Sequence, residues 1–351
     1  MAERIPVSVL GATGSVGQRF VQLLNGHPWF EVVALTGSDR KIGKPYGSAC
    51  NWVLDEAMPA WAETMRLKRS RPEEMSVQVA FSALPSRVAL GVEPQFAEAG
   101  VMVCSNASAY RQEPDVPILL PEVNADHAGI LTAQRSKRGW QGGIVTNPNC
   151  TSTGMTVALN ALQTAFGLRR VFVVSLQALS GAGYPGISSL DIIDNVIPNI
   201  QGEEEKVEQE PLKMLGSYSD GQITLAEFTI SAHTNRVAVR DGHLVCLSVE
   251  LKKPAGVEAA VKAMESYAAP SASRDLPSSP NPVILVRQEG ERPQPRLDRM
   301  TGKGMTTVVG RVRPDPLLDL KMVVLSHNTI RGAAGGSIYN AELLVKQGFI
   351  S

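Results

Sequence analysis

The sequence predicts an α/β protein: a parallel sheet wrapped by helices at the N-terminus, then an α+β region with strands of its own. Three observations carry this expectation. A buried apolar strand, a glycine-rich turn and an amphipathic helix follow one another at the very start of the chain. Two further strands that break off into polar runs recur before Arg111. At 351 residues the chain also exceeds the size at which one hydrophobic core normally divides, so two domains are expected.

The first strand is Ile5-Pro6-Val7-Ser8-Val9-Leu10. Gly11-Ala12-Thr13-Gly14-Ser15-Val16-Gly17 follows, and then a helix through Phe20, Val21, Leu23 and Leu24. Glycines at this spacing allow a tight turn, close backbone approach to a pyrophosphate, and close packing of helix on strand. The phosphate then sits at the helix N-terminus, the Rossmann-type arrangement for a dinucleotide.

The second strand, Glu31 to Leu35, ends in Thr36-Gly37-Ser38-Asp39-Arg40-Lys41. NAD-binding units usually place a carboxylate there to accept the ribose 2′-OH. Here Thr36 takes that place, with Ser38 as a hydroxyl and Arg40 as a cation. This set suits a 2′-phosphate, so NADP is the expected cofactor, while Asp39 leaves NAD as the alternative. Val77 to Phe81 runs into Ser82-Ala83-Leu84-Pro85-Ser86, and Val101 to Cys104 into Ser105-Asn106-Ala107-Ser108-Ala109-Tyr110-Arg111. Ligands of parallel α/β sheets lie beyond the carboxyl ends of the strands. Ser82, Ala83, Leu84 and Arg111 are therefore candidates to line a site, whereas Cys104 alternates into the core.

Thr146-Asn147-Pro148-Asn149-Cys150-Thr151-Ser152-Thr153-Gly154 is the most informative stretch for chemistry. The cysteine follows a rigid Asn-Pro turn and precedes apolar spacing of a helix at Met155, Val157, Leu159 and Leu162. A helix starting just after Cys150 aims backbone N–H groups and the positive dipole end at the sulfur, which favours a nucleophilic thiolate. The same N–H groups suit an oxyanion once a carbonyl is attacked. The alternative is a small buried filler.

Beyond it, Val171 to Leu176 reads as a strand running into the flexible loop 177–186, which contains Gln177, Ser180, Gly181 and Gly183. Gly202 to Glu210 reads as an acidic helix start, Thr229 to His233 and Leu244 to Leu251 as strands, and Pro270 to Arg296 as a long irregular connection. Among the histidines, His27 and His127 sit in polar, turn-like contexts and are expected in solvent. His233 is the main rival to His243 as a reactive group. Arg240 reads as a surface charge, and the run from Glu203 to Lys206 would ordinarily be a solvated helix face.

Composition narrows the class. Lysine plus arginine equals aspartate plus glutamate at 34 each, so no net field draws nucleic acid or a membrane surface. The four cysteines are scattered without a CxxC pair, which disfavours zinc sites and disulfide frameworks; no metal is expected. No secretory leader or membrane span is recognisable, so the cytoplasm is the expected compartment.

Taken in order, GATGSVGQ, SNASAYR, NPNCT, QALSGAG, GEEEK, the run from Arg236 to His243 and HNTIRGAAGG resemble the aspartate-β-semialdehyde dehydrogenase family, and most closely its archaeal and fungal branch. The resemblance covers nearly the whole chain. It implies a Rossmann-type NADP-binding domain over 1–149, completed by 332–351, and an α+β catalytic and dimerisation domain over 150–331. It implies that Cys150 attacks an acyl phosphate and carries a thioester, with Asn149 beside it, Gln177 orienting the substrate and His243 as general acid/base. Arg236 would grip the substrate α-carboxylate, Glu203 its amine, and Lys206 and Arg111 the phosphate. Asn328, with Ser180, Gly181 and Gly183, would lie on the cofactor. The implied reaction is NADPH-dependent reduction of L-4-aspartyl phosphate to L-aspartate 4-semialdehyde in lysine, methionine and threonine synthesis, by a homodimer or homotetramer. Two alternatives stay open: the same chemistry on another acyl group, such as malonyl-CoA or N-acetylglutamyl phosphate, or a silent NADP-binding sensor.

Overall fold

The computed structural model describes residues 4–350. Its first sheet is wholly parallel, in the order β2-β1-β3-β4-β5. The strands are β1 (Ile5–Leu10), β2 (Phe30–Leu35), β3 (Val79–Ser82), β4 (Met102–Ser105) and β5 (Gly143–Thr146). Both faces must be buried for such a sheet. The helix Ser15–Leu23 and the last helix, Gly335–Lys346, cover one face, while Phe96 and Ala97 of the helix Ser86–Glu98 meet Leu10, Ala80, Val103 and Ile144 on the other. Phe20, Val21, Ile338, Ala341 and Leu344 join Val7, Val9, Val79 and Phe81 in one buried cluster. The end of the chain is thus packed against the sheet formed by its beginning.

The second sheet is mixed, in the order β11-β12-β13-β10-β6-β9. It comprises β6 (Leu168–Gln177), β9 (Thr229–Arg236), β10 (His243–Leu251), β11 (Ile284–Arg287), β12 (Thr307–Pro314) and β13 (Leu320–Ser326); β7 (Ser217–Ser219) and β8 (Gln222–Thr224) form a separate hairpin. One face packs under the helix Cys150–Phe166, where Met155, Leu159 and Leu162 meet Val171, Val173, Val245, Leu247 and Val324. The other face carries exposed Phe172 and Cys246. Register matters for function. Gln177 lies opposite Arg236 across β6 and β9, Leu176 opposite Leu244 across β6 and β10, and His243 opposite Ser326 across β10 and β13. Gln177, Arg236 and His243 therefore stand at one end of three neighbouring strands.

Two expectations from the sequence are corrected. The stretch 270–296 is not wholly irregular: Ile284-Leu285-Val286-Arg287 forms β11, paired in parallel with β12, because its apolar run completes the sheet's edge. His27 and His127 are buried, not solvated. His27 Nε2 lies 2.9 Å from Glu342 on the last helix, and His127 contacts Asn124 and the Gly216 carbonyl. In each case a distant segment supplies a polar partner that local sequence does not reveal. Among the described residues, no helix is long and apolar enough to cross a membrane.

Candidate active site

Asn149 and Cys150 begin where β5 hands the chain to the helix Cys150–Phe166. Asn149 is the N-cap: its Oδ1 accepts the N–H groups of Thr151 and Ser152 at 2.9 and 3.2 Å. Such a cap satisfies donors that the first helical turn cannot pair itself. It also fixes Cys150 as the first helical residue. Gly332 backs the nucleophile so closely that a Cβ there would lie 2.8 Å from the Cys150 Cβ.

Cys150 Sγ and His243 Nε2 are 3.2 Å apart. The other ring nitrogen, Nδ1, accepts the backbone N–H of Ala178 at 3.0 Å. His233 instead points outward from β9, edge-on to Phe172. Arg236 is buried and donates to the Ala178 carbonyl at 2.7 Å, so the residue after Gln177 orients both histidine and arginine through its backbone. Gln177 itself is buried, with Nε2 donating to Ser175 Oγ at 3.3 Å.

A cavity of about 930 Å³ opens over the sulfur, bordered by Arg111, Asn149, Glu203, Lys206 and Arg236. Glu203 accepts from Asn149 Nδ2 at 2.8 Å and faces Lys206 Nζ at 3.4 Å. Arg111 donates to the carbonyls of Asn147 and Asn106 at 2.9 and 2.8 Å and to Glu210 Oε1 at 2.9 Å. A guanidinium has five N–H donors, so two remain for a ligand.

The electrostatics correct one expectation. The sulfur is partly accessible at the cavity floor yet surrounded by protein, and burial together with Glu203 pushes the thiol up to about 12. Arg111, Arg236 and the helix backbone pull the other way without overcoming this. The resting nucleophile is a thiol, since desolvation of a sulfur anion outweighs the helix end. Burial, Arg236 and His327 lower His243 to about 3, so its ring is neutral.

On the cofactor side, Gly11 has φ of +73°, and a Cβ on it would meet the Ala83 carbonyl at 2.9 Å; one on Gly17 would lie 2.3 Å from the Gly11 oxygen. Only glycine suits either place. Gly14 caps the helix Ser15–Leu23 without a side-chain bond, leaving the first N–H groups for an anion. Ser15, Val16, Ala83, Leu84, Ser180, Gly181, Gly183 and Asn328 line the same cavity as Cys150. Asn328 bridges two loops, donating to Ser180 Oγ at 2.7 Å and accepting from the Gly242 N–H at 2.8 Å. Thr36 and Ser82 are fully buried, which removes them from direct contact with a ligand. Thr36 Oγ1 accepts the Gly11 N–H at 3.0 Å and bonds Ser70 Oγ at 2.7 Å, so it shapes the glycine loop from behind. Ser38 and Arg40 are exposed beyond it. Thr13 Oγ1 receives Lys41 Nζ at 3.1 Å, which brings a further cation to the loop. These features fit a dinucleotide with a 2′-phosphate.

Two residues of the helix Glu204–Met214 escape sequence reasoning. Glu210 Oε2 accepts the Asn149 N–H at 2.6 Å while Oε1 holds Arg111. Lys213 Nζ donates to the carbonyls of Arg111, Glu113 and Val116 at 2.7, 2.7 and 2.8 Å. With Glu203 and Lys206 they repeat at three- and four-residue steps, which puts all four on one helical face. That spacing is the only signal the sequence carries for them.

Residues 6–130 match a family model described as semialdehyde dehydrogenase, NAD binding domain, and residues 159–331 one described as semialdehyde dehydrogenase, dimerisation domain. The aspartate-semialdehyde dehydrogenase of Archaeoglobus fulgidus is 51% identical over 347 residues, covering 99% of this chain and 100% of that relative. The enzyme of the same name from Schizosaccharomyces pombe is 44% identical over 352 residues, covering 98% and 99%. A crystal structure of aspartate semialdehyde dehydrogenase with NADP from Candida albicans superposes with a TM-score of 0.91 at 41% identity, covering 99% of this chain and 100% of that one.

Proposed function

The chain belongs to the aspartate-semialdehyde dehydrogenase family, and from that premise we propose that it reduces L-4-aspartyl phosphate to L-aspartate 4-semialdehyde with release of phosphate. The observation that carries the proposal is the Cys150–His243 contact at 3.2 Å on the floor of a cavity bordered by Arg111, Arg236, Lys206 and Glu203. A substrate with a phosphate, a carboxylate and an ammonium group matches three cations and one carboxylate. Guanidinium forks suit the two anions, because paired N–H donors meet paired oxygens.

In this account Cys150 Sγ attacks the acyl carbon and carries the acyl group as a thioester. Arg111 and Lys206 hold the departing phosphate, Arg236 the α-carboxylate and Glu203 the amine, with Gln177 and Asn149 setting the geometry. At the start of the helix Cys150–Phe166 the Cys150 N–H is the donor left for the oxygen that gains charge, because Asn149 accepts those of Thr151, Ser152 and Thr153. NADPH, when bound, supplies the hydride that takes the thioester to the aldehyde. Gly11, Thr13, Gly14, Ser15, Val16 and Gly17 would hold its pyrophosphate, Ser38 and Arg40 its 2′-phosphate, and Ala83, Leu84, Ser180, Gly181, Gly183 and Asn328 its nicotinamide end. Collapse of the reduced adduct frees the semialdehyde and regenerates Cys150.

We divide the chain into a cofactor domain, 1–149 with 332–351, and a catalytic domain, 150–331. The open face of the six-stranded sheet, bearing Phe172 and Cys246, is the proposed contact between copies, in a dimer or tetramer placed in the cytoplasm. The names of the relatives favour the aspartyl substrate over a malonyl or N-acetylglutamyl one, and over a silent sensor. The test is the reverse reaction: semialdehyde, phosphate and NADP should yield NADPH. Activity only with a coenzyme A thioester would overturn the choice of substrate, and no activity in either assay would overturn catalysis.

A further inference from the structure

We propose that Arg331 and Glu122, a buried ion pair behind the nucleophile, are positioning residues for the reaction. Through one tight turn they set both the place of Cys150 and the wall against which the cofactor lies. This rests on reading the cavity as a thioester-forming site.

The turn is Ile330–Ala334, in which the Gly332 N–H reaches the His327 carbonyl at 3.0 Å and the Ala334 N–H that of Thr329 at 3.2 Å. This five-residue spacing is rare in helices and gathers at functional sites. Asn328, Thr329 and Ala333 line the cavity. Gly332 is wedged against the nucleophile: a Cβ there would lie 2.8 Å from Cys150 Cβ, 3.0 Å from its Cα and 3.2 Å from its carbonyl oxygen. Arg331 points into the protein instead and is 0% exposed. Its Nε and Nη2 donate to the two oxygens of Glu122 at 2.9 and 2.5 Å, a fork on a fork that fixes direction as well as distance.

Glu122 is itself tied to the nucleophile's helix. Its carbonyl accepts the Tyr267 O–H at 2.6 Å, and the Tyr267 oxygen accepts Asn160 Nδ2 at 2.6 Å. On the other side the guanidinium lies over the Tyr339 ring of the last helix, 5.8 Å from its centroid. Asn147, in the loop that leads to Cys150, approaches the same place. A Cβ on Gly336 would sit 2.5 Å from Asn147 Oδ1 and 2.9 Å from Arg331 Nη1. The turn, the loop before Cys150 and the helix after it therefore share one anchor.

Stability alone is a poor reason for such a pair. Two charges taken out of water gain little over a well-packed apolar pair of the same volume. Arg331 Nη1 also finds no partner among the described residues, which adds to the cost. What the planar fork supplies, and an apolar pair does not, is a fixed orientation of the turn.

The test compares Glu122→Gln and Arg331→Met, alone and together. Either change alone leaves a buried charge unpaired and should lower the melting temperature by about 3–10 °C, whereas the double variant should regain most of that loss. Its phosphate release on mixing with aspartyl phosphate, per active chain, should nevertheless stay on the order of 10²-fold slower than wild type, the scale of a nucleophile misplaced by about 1 Å. The KM for phosphate in the reverse reaction should change less than about threefold, because Glu210 still holds Arg111. The Kd for NADPH, followed by its fluorescence without substrate, should rise about three- to tenfold, as Asn328 moves with the turn. Recovery of the release rate or of the NADPH affinity along with the melting temperature makes the pair merely structural and overturns the inference. Where the double variant does not fold, Arg331→Lys, which keeps the charge and loses the fork, should show the same losses well below its melting temperature; wild-type rate and affinity in that variant overturn the inference equally. If the wild-type protein releases no phosphate, the substrate reading fails, while the NADPH arm still decides the role of the pair.

Discussion

Replacing Glu210 by glutamine perturbs a carboxylate that holds two parts of the site at once. The residue is 1% exposed, accepting from Arg111 Nη1 at 2.9 Å and from the Asn149 N–H at 2.6 Å. Burial pushes its carboxyl above the usual range, and Arg111 and the Asn149 N–H oppose this. An amide of the same shape keeps one acceptor and turns an NH₂ donor on the other partner. Either the guanidinium or the amide hydrogen before Cys150 then goes unpaired. Breaking one side of a buried ion pair costs about 3–5 kcal/mol. At about 1–2 °C per kcal/mol for a chain of this length, the melting temperature should fall by roughly 3–10 °C. Arg111 would keep its bonds to the Asn106 and Asn147 carbonyls but lose the one that fixes its fork. The KM for phosphate in the reverse reaction should therefore rise about tenfold, the scale of one charge-assisted hydrogen bond. Calorimetry and reverse-reaction kinetics check both numbers. A melting shift below about 2 °C with an unchanged KM would refute the reasoning, because no buried charge would then have lost a partner.

Three further outcomes follow from the geometry. Gly332→Ala places a methyl 2.8 Å from the Cys150 Cβ, so the nucleophile must move. Misplacement by about 1 Å costs on the order of 10²-fold in turnover, and cofactor binding measured by NADPH fluorescence should survive. Because burial holds the Cys150 thiol up at about 12, the thiolate is scarce at neutral pH and grows with pH. Inactivation by iodoacetamide should accelerate about tenfold per pH unit through the alkaline range, and a plateau near neutrality would contradict this. Arg40→Ala should raise the KM for NADPH about tenfold with little effect on NADH, since a 2′-phosphate contact is charge-assisted; equal values for wild type and variant would remove Arg40 from the cofactor site.

The fold was legible wherever chemistry is local. Gly11 and Gly17 announce the glycine loop because a Cβ at either would collide with neighbouring backbone, and β1 announces its sheet by an apolar run interrupted by Ser8 alone. Cys150 stands out because a thiol between an Asn-Pro turn and the start of a helix is a local pattern, whereas the cap that Asn149 makes shows only in the structure. What was not legible depends on contacts between distant segments. Glu210 and Lys213 look like any charges on an amphipathic helix until Arg111 and the loop that follows it fold against them. Thr36 has the composition of a ribose contact but faces inward, because Gly11 and Ser70 claim its hydroxyl. The thiol's resting state is hidden for the same reason: helix direction is visible in a sequence, whereas the depth of burial around Cys150 is not.

The central claim is that Cys150 carries the acyl group. Mixing the protein with L-4-aspartyl phosphate in the absence of NADPH, then measuring released phosphate and intact mass, tests it most directly. The account predicts one phosphate released per active chain and one aspartyl group on the peptide containing Cys150, both lost in Cys150→Ala. A phosphate burst that persists in Cys150→Ala, or release without a covalent adduct, would contradict it.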